Sequence, residues 1–371
     1  MTEHELKNMI ENIRPLDETA IKAALERQSK LAKPPKSLGK LEDISVKLAG
    51  ITGRVENRLD KRCVIVFAAD NGVVKEGVAV TPQSVTLKQS VNMTRRKTGM
   101  SALAAFFGDD VKVVDVGIAS ELRFPGISDK KVRPGTGDIL LGPAMTRDEA
   151  MKAISAGIET VNELAANGVE LIGVGEMGIG NTTTSAAVLA SLLGKDPDAV
   201  TGRGSGLTDE AFELKKRVIR GAIELNKPDP VDVIDVISKV GGLDIAAMTG
   251  AYLACASNRI PAVVDGFISI TAALCAVRLC PIVKDHVFLS HVSEEPGYRF
   301  AAEAIVLEPF LLLDMRLGEG SGCPIAFQIM RAACAVMKDM ATFEEASIDD
   351  GYLDAIKRVD AFGKRKQEDA Q

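Results

Sequence analysis

The sequence predicts an α/β fold in which helices cover both faces of a parallel, doubly wound sheet. Apolar runs rich in β-branched residues recur along the chain, and segments of helical pattern separate them. Several of these runs stop at an acid, a glycine or a serine, and open parallel sheets bind ligands beyond such strand ends. The 371 residues, of which 46% are apolar and 26% charged, suffice for one large domain or two.

The first 30 residues predict two short helices, with Pro15 as the break between them. Apolar residues such as Ile13 and Ile21 recur there among charged residues. The Pro-Pro pair that follows enforces an extended segment, and Ser37 is the predicted start of the helix LGKLEDISVKLAGI. We expect the extended segment to act as a hinge before the main domain.

Five segments predict the strands of the sheet. They are CVIVFAAD (63–70), VKVVDVGI (111–118), VELIGVG (169–175), PAVVDG (261–266) and HVFLSHV (286–292). The stretch from Val85 to Phe107 predicts helix between the first two strands, and the pattern after residue 324 is helical again. The last ten residues are charged, and we expect them to fray.

The stretch VELIGVGEMGIGNTTTSAA (169–187) predicts an anion site, because a strand, a glycine turn and a helix N-terminus follow one another. Gly178 and Gly180 allow positive φ and close approach of the backbone to a ligand, and residues 181–185 offer N-cap oxygens. Backbone N–H groups and the helix dipole favour an anion there. A tight turn that binds nothing remains open, although Glu176 beside an anion site needs a cationic partner or a chemical task.

Three other segments carry polar groups suited to a site. TGRGSGLTDEAFELKK (201–216) is a second glycine loop before a helix, and its Lys215 either pairs with a phosphate or faces solvent. In EGVAVTPQSVTLKQSVNM (76–93), Thr81 and Gln89 stand among small apolar residues, which suits a flat apolar ligand or a helix cap. Glu319 is bracketed by glycines. It is either a base whose pKa burial raises, or a charge favouring the following helix dipole.

Composition disfavours several classes of partner. A net charge of −6, a pI of 5.4 and the absence of tryptophan argue against a nucleic-acid surface. Asp265 near the middle of the longest apolar stretch would cost roughly 2.5–3.5 kcal/mol in a membrane, so we predict strand, turn and buried helix there. The N-terminus lacks the apolar core of a signal peptide, so a cytoplasmic location is expected.

Six cysteines without a CxxC pair predict buried, reduced thiols, and three histidines lack metal-ligand neighbours. We therefore expect neither a metal nor a cofactor.

Eleven segments of the chain, in this order, resemble one enzyme family over most of its length. They are KPPKSLGKLE, FAADNGV, EGVAVTP, VTLKQSVNM, GTGDI, GVGEMGIGNTTT, GRGSGL, GGLDIAAMTGAYL, DGFI, SHVSEEPG and RLGEGSGCPIA. The family is the nicotinate-nucleotide:dimethylbenzimidazole phosphoribosyltransferases of cobamide lower-ligand assembly. The resemblance implies transfer of the 5-phosphoribosyl group of nicotinate mononucleotide to 5,6-dimethylbenzimidazole, giving α-ribazole 5′-phosphate and nicotinate.

The resemblance also implies an architecture. A Rossmann-like large domain is expected over residues 31–329, with a small helical domain from both chain ends, residues 1–30 and 330–371. The family is metal-free and usually homodimeric, and a heterodimer with a paralogue is the other expected assembly.

The resemblance assigns roles to individual residues. Glu319 becomes the general base that takes the azole N–H proton, and Glu176 becomes the carboxylate that faces developing positive charge on the ribose. The residues expected at the nucleotide phosphate are Gly178, Gly180, Asn181, Thr182, Gly204, Lys215 and Ser293. Those expected at the acceptor are Thr81, Gln89 and Leu317.

Two departures from the family pattern keep alternatives open. Lys36 and Asn71 stand where the family commonly has glycine and histidine, which we interpret as a difference near the acceptor. One alternative is transfer to phenol or p-cresol by a heteromer, and another is a non-catalytic nucleotide-binding partner subunit. Retention of Glu176 and Glu319 argues against the second. An NAD-dependent dehydrogenase is disfavoured, because no GxGxxG follows the first strand.

Overall fold

The computed structural model describes residues 1–353, and a six-stranded parallel sheet lies at its centre. The strands are β1 (Arg62–Ala69), β2 (Asp110–Gly117), β3 (Ile127–Asp129), β4 (Leu171–Met177), β5 (Ala262–Val264) and β6 (Val287–Leu289). Their order is β3-β2-β1-β4-β5-β6, and each pairing in the sheet is parallel. The predicted parallel α/β sheet is confirmed, and its order is that of a Rossmann fold.

The two central strands, β1 and β4, are buried along their whole length. Burial on both faces explains why they read as continuous apolar runs. The sequence prediction ended β4 at Gly175, whereas pairing with β1 continues through Glu176 and Met177. The chain order reverses between β1 and β4, so the crevice beyond their carboxyl ends is the topological switch point where ligands bind in such sheets.

Helices make up most of the rest of the described chain. Their bounds are α1 (Glu3–Glu11), α2 (Glu18–Lys30), α3 (Lys40–Thr52), α4 (Val85–Thr94), α5 (Gly99–Phe107), α6 (Arg147–Ala166), α7 (Asn181–Leu193), α8 (Pro197–Val200), α9 (Asp209–Asn226), α10 (Val233–Val240), α11 (Leu243–Ser257), α12 (Phe267–Leu279), α13 (Pro296–Ile305) and α14 (Gly322–Asp339). Within residues 1–353, no helix combines the length and apolar character needed to cross a membrane.

One predicted detail of the helices is wrong. The helix expected to start at Ser37 begins instead at Lys40, because Gly39 at φ 52° is its N-cap. The stretch from Val85 to Phe107 is helical as predicted, and it forms two helices, since Thr98 ends the turn after α4 and caps α5 through a hydrogen bond from the Ser101 N–H.

Two glycines allow α6 and α11 to cross with their backbones in contact. A Cβ at Gly157 would lie 1.9 Å from the carbonyl oxygen of Ala247. A Cβ at Gly250 would lie 2.0 Å from the carbonyl oxygen of Ile154. Both distances are well inside van der Waals contact, so any larger residue would push the helices apart. The crossing matters for the site described below, because α11 carries the buried Asp244 in its first turn.

We expect Gly157→Ala to lower the free energy of unfolding by about 3 kcal/mol or more, the upper part of the range for overpacked cores. The clash has to outweigh the roughly 1 kcal/mol that alanine gains over glycine in helix propensity. Urea unfolding followed by circular dichroism measures the change. Gly142→Ala is the matched control, because a Cβ at that position has nothing within 4 Å. Equal stability of both variants would contradict a tight crossing.

The chain divides into two compact units whose boundaries differ from the predicted ones. The larger unit comprises Met1–Pro15 and Leu59–Gln328, and the smaller comprises Leu16–Arg58 and the described chain from Ile329 onward. Residues 1–15 therefore leave the predicted small domain, because Leu6 of α1 belongs to the main hydrophobic core. Residues 31–58, predicted in the large domain, belong to the smaller unit, since α3 packs with α2.

Within the smaller unit, α2, α3 and the C-terminal part of α14 share an apolar core that includes Ala24, Leu31 and Met337. The charged end of the chain, for which fraying is expected, lies outside the described residues.

Candidate active site

One cavity in the larger unit, with a volume of about 580 Å³, lies beyond the carboxyl ends of β4, β5 and β6. Its walls come from segments 78–89, 176–182, 203–215, 266–268, 291–295 and 316–319. All the residues that sequence analysis assigned to a site line this cavity: Thr81, Gln89, Glu176, Gly178, Gly180, Asn181, Thr182, Gly204, Lys215, Ser293, Leu317 and Glu319. The structure thus brings them together, while their individual roles remain predictions.

The glycine turn after β4 places the N-terminus of α7 at the cavity. Its N-cap is Gly180 at φ 93°, and no side chain caps the helix, so the predicted capping by residues 181–185 is wrong. A Cβ at Gly178 would lie 2.4 Å from the carbonyl oxygen of Ala69. The turn therefore packs directly on the end of β1, and the helix N-terminus is left to attract an anion.

Lys215 adds a positive charge beside this helix N-terminus. Its side chain is fully buried, so the alternative of a solvent-facing lysine is wrong. The Nζ atom donates to Thr182 Oγ1 and to the Gly202 carbonyl, both at 2.9 Å. Burial lowers the pKa of Lys215 to about 8, and the negative charge of Glu295 opposes this fall. Both the lysine and the helix dipole favour a phosphate at this end of the cavity.

Glu176 at the end of β4 shares one amide with a second buried acid. Asn181 Nδ2 donates to Glu176 Oε2 and, at 3.0 Å, to Asp244 Oδ2. Burial, with a smaller contribution from the Asp244 charge, raises the pKa of Glu176 to about 8. Burial also raises the pKa of Asp244, to about 6. Glu176 therefore carries its proton at neutral pH until a positive charge is placed beside it.

Glu319 lies in a run of three left-handed residues. Its φ is 62°, and Gly318 and Gly320 on either side have φ of 80° and 83°. Gln89 Nε2 donates to Glu319 Oε1 at 3.3 Å, while Oε2 accepts no well-formed hydrogen bond from residues 1–353. Burial raises the pKa of Glu319, and the side chains of Thr98 and Gln89 oppose that rise. Glu319 lines the cavity, and a buried carboxylate at a cavity wall can act as a general base.

Part of the cavity wall is apolar. Side chains without polar atoms supply much of the wall, namely Val78, Ala79, Val85, Ile179 and Leu317. Thr81 adds one hydroxyl. The Gln89 amide is already engaged, because its Oε1 accepts from Asn92 Nδ2 at 3.0 Å while its Nε2 donates to Glu319. Gln89 therefore orients Glu319, and the surrounding wall suits a flat aromatic molecule.

Sequence reasoning missed several polar residues of this region. Asp244 and Asp265 are buried behind the cavity wall, and His291 and Glu295 line it. Glu295 Oε1 accepts a hydrogen bond from the Gly204 N–H at 2.8 Å. All four lie in segments that carry the family resemblance. The available signal was a charged or titratable residue within a run of small or apolar ones.

Asn71 does not lie on the acceptor side of the cavity, contrary to the sequence-based interpretation. It is fully buried beneath the glycine turn, where its Nδ2 donates to the Ile179 carbonyl at 3.4 Å. Its Oδ1 accepts from Thr184 Oγ1 at 3.5 Å. This departure from the family pattern therefore concerns support of the phosphate end. Lys36, the other departure, belongs to the smaller unit and has φ of 58°.

Comparison with known proteins gives consistent matches along nearly the whole chain. A family model described as phosphoribosyltransferase matches residues 13–348. Two relatives are named nicotinate-nucleotide–dimethylbenzimidazole phosphoribosyltransferase. The one from Clostridium perfringens is 49% identical over 357 residues, which is 96% of this chain and 99% of the relative. The one from Clostridium tetani is 48% identical over 345 residues, covering 93% and 95%. The crystal structure of CobT from Thermus thermophilus matches with a TM-score of 0.86 at 41% identity, covering 90% of this chain and all of that one.

Proposed function

The chain belongs to the nicotinate-nucleotide–dimethylbenzimidazole phosphoribosyltransferase family, and we propose that it transfers the 5-phosphoribosyl group of nicotinate mononucleotide to 5,6-dimethylbenzimidazole. The products are nicotinate and α-ribazole 5′-phosphate. One observation carries the proposal: one cavity brings the uncapped N-terminus of α7 and the buried Lys215 together with the buried carboxyl of Glu319 and several apolar side chains. The names of the relatives support the same donor and acceptor.

The geometry supports a mechanism with one base and no general acid. The donor phosphate binds at the N-terminus of α7 beside Lys215, which places the ribose near Glu176. Glu319 takes the N–H proton of the azole, and the other ring nitrogen attacks the anomeric carbon of the ribose. The electron pair of the broken C–N bond returns to the pyridinium nitrogen, so nicotinate leaves neutral at that atom. Positioning of both substrates supplies much of the remaining rate enhancement.

The finer parts of the proposal are the acceptor, the assembly and the location. The benzimidazole is preferred over phenol or p-cresol, because Asn71 lies at the phosphate end and gives no reason to expect an altered acceptor pocket. A homodimer is preferred over a heterodimer with a paralogue, since both acids of the mechanism are present in this chain. A cytoplasmic location is supported by six buried cysteines that are all free thiols.

The test is nicotinate release by the purified protein. We expect release from nicotinate mononucleotide only when an aromatic acceptor is added. The acceptors to compare are 5,6-dimethylbenzimidazole, adenine, phenol and p-cresol, with the glycosidic linkage of each product read by NMR. Release with benzimidazole and an α-N-riboside product supports the proposal. Reaction of phenols alone would overturn the acceptor, and release without any acceptor would overturn the transferase.

Binding of the donor should also release a proton. Glu176 is protonated at pH 7, and the nearby pyridinium cation of nicotinate mononucleotide lowers its pKa, so about one proton leaves on binding. Isothermal titration calorimetry in buffers of different ionisation enthalpy measures this number. Glu176→Gln should abolish the release. An unchanged release in that variant would assign the proton to another group.

A further inference from the structure

The segment that carries Glu319 is held by a buried carboxylate outside the cavity wall, Asp265. This residue follows β5 and is 2% exposed. Its Oδ2 accepts the Gly320 N–H at 3.0 Å, and its Oδ1 accepts the Gly322 N–H at 2.7 Å. Each carboxylate oxygen thus holds one backbone group immediately after Glu319, at the point where α14 begins. A negative charge at a helix N-terminus is itself favourable.

The Glu319 segment needs such a restraint, because its backbone is strained. A left-handed glutamate costs roughly 1 kcal/mol or more relative to the right-handed region, and it persists only where surrounding contacts enforce it. The opposite side of the segment is held by packing. A Cβ at Gly175 would lie 2.5 Å from the Gly320 nitrogen, so the segment rests directly on β4. Polar restraint comes from the two hydrogen bonds to Asp265 and from Glu176 Oε1, which accepts the Glu319 N–H at 3.4 Å.

The two residues that follow β6 lie against Asp265 and hold its backbone. Ser290 Oγ donates to the Asp265 carbonyl at 3.3 Å and lies 2.9 Å from His291 Nδ1. The same His291 atom is 3.9 Å from Asp265 Oδ1. The end of β6 therefore holds the backbone of Asp265, and the Asp265 carboxylate in turn holds the segment that carries Glu319.

We propose, on the basis of the proposed function, that Asp265 is the positioning residue for the general base Glu319. It does not contact substrate. It acts by holding the Gly320 and Gly322 N–H groups, so that the Glu319 carboxylate meets the acceptor proton in one geometry.

The test is Asp265→Asn, which replaces one accepting oxygen with an amide that cannot accept from a backbone N–H. We expect kcat to fall by about 10- to 100-fold, the effect of a misplaced catalytic group, while KM for nicotinate mononucleotide stays within about twofold. In the Glu319→Gln background the same substitution should add less than about twofold, because there is no base left to position. An equal loss in both backgrounds, or full kcat in the single variant, would overturn the proposal.

A second measurement does not depend on turnover. Hydrogen exchange of the Gly320 and Gly322 amides should accelerate at least tenfold in Asp265→Asn, and unchanged protection would overturn the role. Asp70→Asn is the matched control. Asp70 is an equally buried acid after β1 whose Oδ2 accepts from the Ala119 N–H at 2.8 Å. It should leave exchange at Gly320 and Gly322 unchanged.

Asp265→Glu covers the case in which the asparagine variant does not fold, since it keeps the charge but shifts the oxygens by one methylene. It should show the same loss of kcat. If the unaltered protein released no nicotinate, the proposed function would fall, while the exchange experiment would still decide whether Asp265 holds the segment.

Discussion

Glu319→Gln is expected to lower kcat by roughly 10²- to 10⁴-fold, the usual contribution of general-base catalysis. Glutamine has nearly the same shape but cannot take the azole proton, and among the described carboxylates that line the cavity Glu319 is the one bonded to Gln89. KM for nicotinate mononucleotide should change little, because Glu319 acts on the acceptor. Steady-state nicotinate release with 5,6-dimethylbenzimidazole measures both constants.

The same role for Glu319 predicts the direction in which kcat changes with pH. Burial raises the pKa of Glu319, so the ionised base is lost at a higher pH than for an exposed glutamate, and kcat falls as pH drops through that value. This fall of kcat at low pH should disappear in Glu319→Gln. Asp314→Asn, an exposed acid five residues earlier in the same segment, is the control and should keep full kcat. A variant at Glu319 with normal kcat would exclude it as the base.

Lys215→Met is expected to raise KM for nicotinate mononucleotide by roughly 10- to 150-fold, which corresponds to losing a hydrogen bond to a charged group of about 1.5–3 kcal/mol. The methionine side chain has a similar length and keeps the apolar contacts of the lysine stem. The value of kcat at saturating donor should fall less, since Lys215 lies at the phosphate end and far from the acceptor proton in the mechanism. Steady-state rates measured at varied donor concentration and fixed acceptor concentration separate the effect on KM from the effect on kcat.

Lys216→Met is the matched control for this variant, because Lys216 is the next residue on α9 and pairs with Glu213 at 2.8 Å outside the cavity. An equal rise in KM for both variants would contradict a phosphate role for Lys215.

Two groups titrate near pH 8 with opposite effects on donor binding. Burial lowers the pKa of Lys215 to about 8, so affinity falls as pH rises and the lysine loses its proton. Burial raises the pKa of Glu176 to about 8, so affinity rises over the same range as the carboxyl ionises. Glu176→Gln should therefore expose the falling limb alone, and Glu176→Gln with Lys215→Met should give a flat profile. A falling limb that survives in the double variant would belong to another group.

The elements of the sheet could be predicted where burial is complete on both faces. Strands β1, β2 and β4 read as apolar runs because most of the environments they occupy are apolar, and their carboxyl ends are marked by glycines and acids. The edge strand β3 is three residues long and half exposed, so it leaves no pattern to detect. The assignment of α1 also failed, since an amphipathic helix shows that it packs on something without showing on what.

The candidate site divides in the same way. Residue types and their local spacing, read with the family resemblance, were enough to select Glu176, Lys215 and Glu319 and to predict that strand ends converge on one crevice. They could not show that Lys215 is buried, that Gln89 orients Glu319, or that Asn71 supports the phosphate end. These depend on contacts between residues that lie from 33 to 230 positions apart in the chain.

The sequence by itself determined the parallel α/β fold, the family and many of the residues at the cavity, because these follow from local pattern and motif. Only the tertiary structure decided the charge states and the restraints. The pKa of Glu176 depends on burial and on Asp244, and the geometry of Glu319 depends on Asp265, which lies 54 residues earlier in the chain. Desolvation and hydrogen bonding are properties of a packed environment, and no single segment of the chain contains that environment.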